Sequence, residues 1–185
     1  MSPDRRESLP SNIEPLFDAD TVRESVEALG RKIEGDFGAD DPLLVALLGG
    51  SVIFLADLVR AIGRPVRYEF IDVGLSGSEE NGAEVVQIRY PIPLEISGQR
   101  VLVVKDVVSS GVTEPYLEQQ LKDHGAREVR FAALIDMPDE RKTEFELHYR
   151  ALTAERQGGL LVGYGLKHAG RYGNLPSVGR LSVES

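Results

Sequence analysis

The chain contains no cysteine in its 185 residues. Disulfides, thiolate-bound metals and a cysteine nucleophile are therefore excluded. No apolar run approaches the ~18 residues that a membrane-spanning helix needs. The opening MSPDRRESLP lacks the apolar centre of a secretion signal, so a cytoplasmic protein without a membrane partner is expected. Histidine is scarce, and His124, His148 and His168 have no metal-ligand spacing. Basic residues are outnumbered, with 21 Lys plus Arg against 30 Asp plus Glu and a net charge of −9. That balance argues against a sequence-independent nucleic-acid binder and is explained by solubility. Lysine is the rarer base, confined to Lys32, Lys105, Lys122, Lys142 and Lys167.

What is present is ordinary for one globular domain, with 42% hydrophobic and 28% charged residues. Residues 1–15 read as a loose arm. From Asp20, apolar Val22, Val26, Leu29 and Ile33 recur at helical spacing, with Asp20 or Thr21 as cap and Gly35 and Gly38 as stop. A buried strand is expected over 43–48, a turn over 49–51 and an apolar helix over 52–62, closed by Gly63. A strand over 66–73 leads into a loop, 74–82, and a second strand over 83–90. The run 129–135 reads as a buried strand and 160–166 as a last one, while 139–142, DERK, reads as a solvated turn.

The most informative stretch is 101–113, VLVVKDVVSSGVT. An apolar run long enough for a buried strand meets Asp106 and breaks into Ser109-Ser110-Gly111. A helical segment, 114–124, follows Thr113 and ends with His124, whose charge the helix dipole favours. A small-residue turn between strand and helix presents several free N–H groups in one direction, which is a phosphate cradle made of backbone. Strand–helix–strand occurs twice, over 43–73 and 101–135. Such units require parallel strands, so the fold class is α/β, a mainly parallel sheet with helices on both faces. Ligands then sit beyond the carboxyl ends of the strands, where loops 49–51, 74–82, 106–113 and the segment after 166 should gather.

The 101–113 stretch resembles the phosphoribosyl-diphosphate (PRPP) motif of type I phosphoribosyltransferases: a hydrophobic strand, two acids, two hydrophobics and a small-residue loop. The resemblance to the hypoxanthine-guanine branch extends over nearly the whole chain, through LLGGSVIFLADLVRAI, PVRYEFIDV, LIDMPDER and VGYGLKHAGRYGNLPSVGRL. It implies the type I phosphoribosyltransferase fold as a single domain over 1–185, with a small C-terminal hood and base-pocket region over 136–185. It also implies phosphoribosyl transfer from PRPP to a 6-oxopurine through an oxocarbenium-like transition state, with Mg2+ as cofactor. By the resemblance, Asp106, Ser109, Ser110, Gly111, Val112 and Thr113 bind the phosphoribosyl group, and Leu48, Gly49, Gly50 and Ser51 form the pyrophosphate loop. Asp106 is the metal-site acid, and Met137, Leu160 and Leu161 line the base pocket, with Lys142 a further candidate for the base.

The departures from the family pattern fall on chemistry. Ser109 stands at the catalytic base position, where the family has an aspartate, and a hydroxyl is a poor base without a second base to activate it. Lys105 and Lys167 stand where the family has acids; Gly49 and Gly173 stand where it has a lysine and an arginine. Lys105 either faces the ligand, reversing the local charge, or pairs inside the fold with Asp106 or another acid. Lys167 either serves an anion or is an exposed loop lysine. The expected protein is a homologue that binds PRPP or a nucleoside monophosphate, with weak or absent Mg-PRPP catalysis. The alternatives are a non-catalytic nucleotide sensor and a transferase with another acceptor. The variant Lys105→Glu, Ser109→Asp, Lys167→Asp is expected to regain PRPP affinity. A homo-oligomer is expected, with the helix over 52–62 as one interface.

Overall fold

A computed structural model of the chain describes residues 10–38, 40–77, 84–89 and 95–182. Helix α1 (Ala19–Phe37) buries Val22, Val26, Leu29 and Ile33, the stripe set by the 3.6-residue period. Its cap is Asp18, not Asp20 or Thr21: the carboxylate accepts the Thr21 N–H at 2.7 Å. Strands β2 (Leu43–Leu47), β3 (Arg67–Gly77), β5 (Arg100–Val108) and β6 (Glu128–Asp136) form the sheet centre, in the order β4-β3-β2-β5-β6-β7. From β3 to β7 (Tyr149–Thr153) all pairings are parallel; β4 (Glu84–Arg89) pairs with β3 antiparallel. Helices α1 and α2 (Ser51–Ala61) cover one face with Leu44, Ala46, Leu102 and Val104. Helix α3 (Thr113–Asp123) covers the other with Leu43, Val45, Val101 and Val103. Gly30 lets α1 and α2 cross closely, since a Cβ there would lie 2.8 Å from the Ala61 carbonyl carbon.

A second, three-stranded sheet orders as β1-β9-β8, from Ile13–Phe17, Val178–Leu181 and Leu160–Val162. The N-terminal arm is therefore not loose up to residue 15, because Ile13 and Glu14 pair with Leu181 and Arg180 of β9. Residues 74–77 are not loop but the end of β3, paired with β4; the remainder of the expected loop, 78–82, lies outside the described residues. The strand expected over 160–166 stops at Val162, with Tyr164 turning at φ 49, and it is not the last, since β9 follows it. Buried Arg180 ties β9 to the preceding segment by donating to Gln157 O at 2.7 Å and Glu155 O at 3.1 Å. Among the described residues no helix is long and apolar enough to cross a membrane.

His148, just before β7, accepts the Phe131 N–H through Nδ1 at 3.4 Å. Burial pushes its imidazole pKa below 6.5. The folded protein keeps this ring neutral while the unfolded chain protonates, so stability should fall as pH drops below 6.5 and down through the folded pKa. Urea unfolding at stepped pH should show this slope in the wild type and a flatter one in His148→Gln; equal slopes would refute it.

Candidate functional site

The strand order reverses between β2 and β5, and the carboxyl ends of these neighbours open a cleft. Two loops line it: 48–50 after β2 and 109–112 after β5. Within β5, alternate residues face opposite ways. Val101 and Val103 face α3, so Lys105 does too; Leu102 and Val104 face α2, so Asp106 does too.

That parity separates the two charges. Lys105, 8% exposed, pairs with Glu114, 2% exposed, in the first turn of α3, and also reaches Thr113 Oγ1 at 3.2 Å. Lys105 is thus not a ligand-facing charge reversal but half of an internal pair, and its partner is not Asp106. On the other face, Asp106 Oδ1 accepts its neighbour's Val107 N–H at 2.8 Å, and Oδ2 lies against Gly50. A Cβ at Gly50 would collide with that oxygen, so any side chain there would displace the Asp106 carboxylate.

The pairing alters the restoration variant. Lys105→Glu would set a second carboxylate against Glu114 in a buried place. It should cost about 3 kcal/mol or more by urea unfolding, and Lys105→Glu with Glu114→Lys should recover most of that. If the single variant matched the wild type, the pair would be irrelevant to stability.

The phosphate loop is held from behind. Arg141 Nη1 donates to Ser109 O at 2.9 Å, the Lys142 N–H to Ser110 O at 2.8 Å, and the Thr143 hydroxyl to Gly111 O at 2.6 Å. Three consecutive carbonyls therefore point toward residues 141–143. The N–H groups of Ser109, Ser110 and Gly111 have no backbone acceptor among the described residues. Gly111 adopts φ 74, and a Cβ there would lie 2.8 Å from Arg141 Cδ. The segment 139–142 is a turn as expected, with Asp139 and Lys142 exposed, but its Arg141 points inward and is engaged. Pro138–Glu140 forms a 3-10 turn, and Arg141 links the loop to buried Asp136, donating to Oδ1 at 2.5 Å. Sequence reading missed Arg141 because its partners lie 32 residues upstream or on the neighbouring strand.

The third wall is the C-terminal segment. Gly165 lies against Gly50 O at φ 97 and donates its N–H to Gly173 O at 2.9 Å. Lys167 is exposed, and its stem runs over Gly173, where a Cβ would sit 2.7 Å from Lys167 Cγ. The two positions thus interlock: the lysine stem fills the space that a side chain at 173 would take. No ion pair engages Lys167 among the described residues. Tyr164 donates to Asp57 Oδ2 at 2.6 Å, which fastens this segment to α2, and burial with that bond pushes its phenol pKa far up.

Of the base-pocket residues, Met137 is 7% exposed and packs in the α1–α2 core, Leu161 packs partly against that core, and Leu160 is exposed. Gly49, at φ 133, has open space where a side chain would go. Ser109 presents no neighbouring base: no His, Asp or Glu bonds its hydroxyl among the described residues.

Among the described residues, no three His, Cys, Asp or Glu side chains cluster as a resident metal site. Magnesium, however, takes one or two carboxylates plus phosphate oxygens. Asp106 alone fits an ion that arrives with a diphosphate, and not one held in its absence.

A parallel sheet with a turn of free backbone N–H groups and a glycine loop at its switch point has the architecture of phosphate-binding α/β domains. The phosphoribosyl transferase domain family matches residues 14–164. The hypoxanthine-guanine phosphoribosyltransferase of Streptococcus pneumoniae is 32% identical over 169 residues, 91% of this chain and 93% of its own. That of Mycobacterium avium is 34% identical over 172 residues, 90% of this chain and 84% of its own. Among solved structures, the Staphylococcus aureus hypoxanthine phosphoribosyltransferase superposes with a TM-score of 0.82 at 26% identity, covering 92% of both chains. A Bacillus anthracis hypoxanthine-guanine enzyme gives 0.79 at 30% identity, covering 91% of this chain and 97% of its own. The chain belongs to the type I phosphoribosyltransferase family, in its hypoxanthine-guanine branch, and has that family's fold.

Proposed function

We propose that the protein binds a 5′-phosphoribosyl ligand, PRPP or a nucleoside monophosphate, and that Mg-PRPP transfer to a 6-oxopurine is weak or absent. The observation that carries the first half is the phosphate loop, whose three carbonyls are bonded from behind while its N–H groups remain free. Backbone N–H groups beside the start of α3 suit a phosphate dianion without a cationic side chain.

The second half rests on the missing groups. In transfer, the C1′–O bond to pyrophosphate breaks, the C1′–N9 bond forms, and the purine must lose a proton. Ser109 offers no carboxylate for that proton, and Gly49 and Gly173 offer no cation to the leaving pyrophosphate. Asp106 would hold the ribose hydroxyls, and with them a Mg2+ that enters on the diphosphate and neutralises part of its charge. Lys167, without an ion pair among the described residues and two residues past Gly165, which lies against Gly50, is a cation that could meet a diphosphate. The exposed Val52 and Ile53 at the start of α2 are the surface on which we expect homo-oligomers to form.

Calorimetry with ribose 5-phosphate and with GMP should show binding that survives EDTA. Nucleotide formation from PRPP and hypoxanthine, guanine or xanthine should run at least ~100-fold below the S. pneumoniae enzyme assayed alongside, the usual contribution of a general base. Turnover at a comparable rate would overturn the catalytic half; no GMP binding would overturn the first.

A further inference from the structure

Lys105 is buried on the α3 side of β5, opposite the face that carries Asp106. Its partners are two consecutive residues, Thr113 and Glu114, at the start of α3. An ammonium carries three donors and no acceptor. At 3.2 Å from Lys105 Nζ, Thr113 Oγ1 therefore accepts, and its own proton must point elsewhere. Thr113 is half-buried and adjoins the loop whose N–H groups are free, so that proton is available to a phosphate oxygen. Without the ammonium, the same hydroxyl would be free to turn inward. On that side Glu114 Oε2 is buried with no hydrogen-bond partner among the described residues.

We propose that Lys105 is a positioning residue for phosphate binding: anchored by Glu114, it holds Thr113 Oγ1 as an acceptor and turns the hydroxyl proton outward. This rests on the reading that a 5′-phosphate occupies the loop. A lysine at a position that resembles an acid site in the family thereby serves the anion from behind and does not touch it. Glu114 neutralises the ammonium, so the pair adds no net charge to the cleft, and its contribution is the direction of one hydrogen bond.

The probe is ribose 5-phosphate, titrated calorimetrically into the full chain. Thr113→Val should weaken binding about tenfold or more, as expected for a lost bond to a charged group. Lys105→Gln with Glu114→Gln removes both charges together and leaves neither orphaned, and an amide oxygen can then accept the Thr113 proton from inside. It should weaken binding by a comparable factor. The triple variant should lose no more than either parent, because both changes act through one hydroxyl.

Lys105→Met with Glu114→Met is the second variant: it removes the inward acceptor along with the ammonium, so the hydroxyl proton keeps the phosphate as its partner and affinity should stay within about threefold of the wild type. Wild-type affinity in the folded glutamine pair, a full loss in the folded methionine pair, or losses that multiply in the triple, would overturn the proposal while leaving the phosphate-loop reading intact. Failure of the wild type to bind ribose 5-phosphate would overturn that reading and the proposal together.

Discussion

Arg141→Met should lower the unfolding free energy by about 3 kcal/mol and weaken ribose 5-phosphate binding at least ~10-fold. The guanidinium is the main partner of Asp136, which is 4% exposed; Arg150 stands 3.9 Å off and is itself mostly solvated. Removing Arg141 leaves a nearly buried carboxylate with little to offset its desolvation. The same side chain also bonds Ser109 O and lies 4.9 Å over the Phe145 ring, so the phosphate loop loses one of its three rear anchors. The two effects are separable. Adding Asp136→Asn should return most of the stability in urea unfolding, while ribose 5-phosphate affinity stays low because Ser109 O remains untied. Joint recovery of both would show that the loop does not depend on Arg141.

Gly50→Ala should have the opposite balance, a large loss of affinity with little loss of fold. Its Cβ would meet the end of the Asp106 side chain, which can swing away, and not a backbone atom. The helix conformation at Gly50, φ −71 and ψ −20, suits alanine as well as glycine. Stability should therefore change by less than about 1 kcal/mol, the ordinary range for an unstrained substitution. Displacing Asp106 removes the acid expected to hold the ribose hydroxyls, so ribose 5-phosphate and GMP should each bind ~10-fold or more weaker. Asp106→Ala should lose a similar factor, and the double variant no more than either. Wild-type affinity in Gly50→Ala would mean that the contact between this glycine and this acid has no part in binding.

Much of this site was legible from local patterns. The apolar run 101–104 followed by Asp106 and the small-residue turn announced a strand, a cradle and a helix, because each depends on neighbours in sequence. The alternation of strand residues argued for Lys105 and Asp106 facing apart but left their pairing open at a strand end, and the Glu114 partner closes that option. The short strand β7, Tyr149–Thr153, was missed because its five residues carry no run of apolar side chains and take their place only by pairing with β6. Strand β1 was missed for the same reason: it is extended because β9 is there to bond it.

By itself the amino-acid sequence determined the class of fold and the small-residue turn between β5 and α3. These follow from periodicity and backbone chemistry within a dozen residues. Only the tertiary structure decided what the charged and glycine residues around that turn meet. Lys105 neutralises Glu114, Lys167 lies over Gly173, Gly50 receives Asp106, and Arg141 fastens a loop 32 residues upstream. The reason is physical. A side chain's charge is fixed by its type, but its effect depends on which partner the packed chain brings within a few ångströms, and that distance is not written in the local sequence.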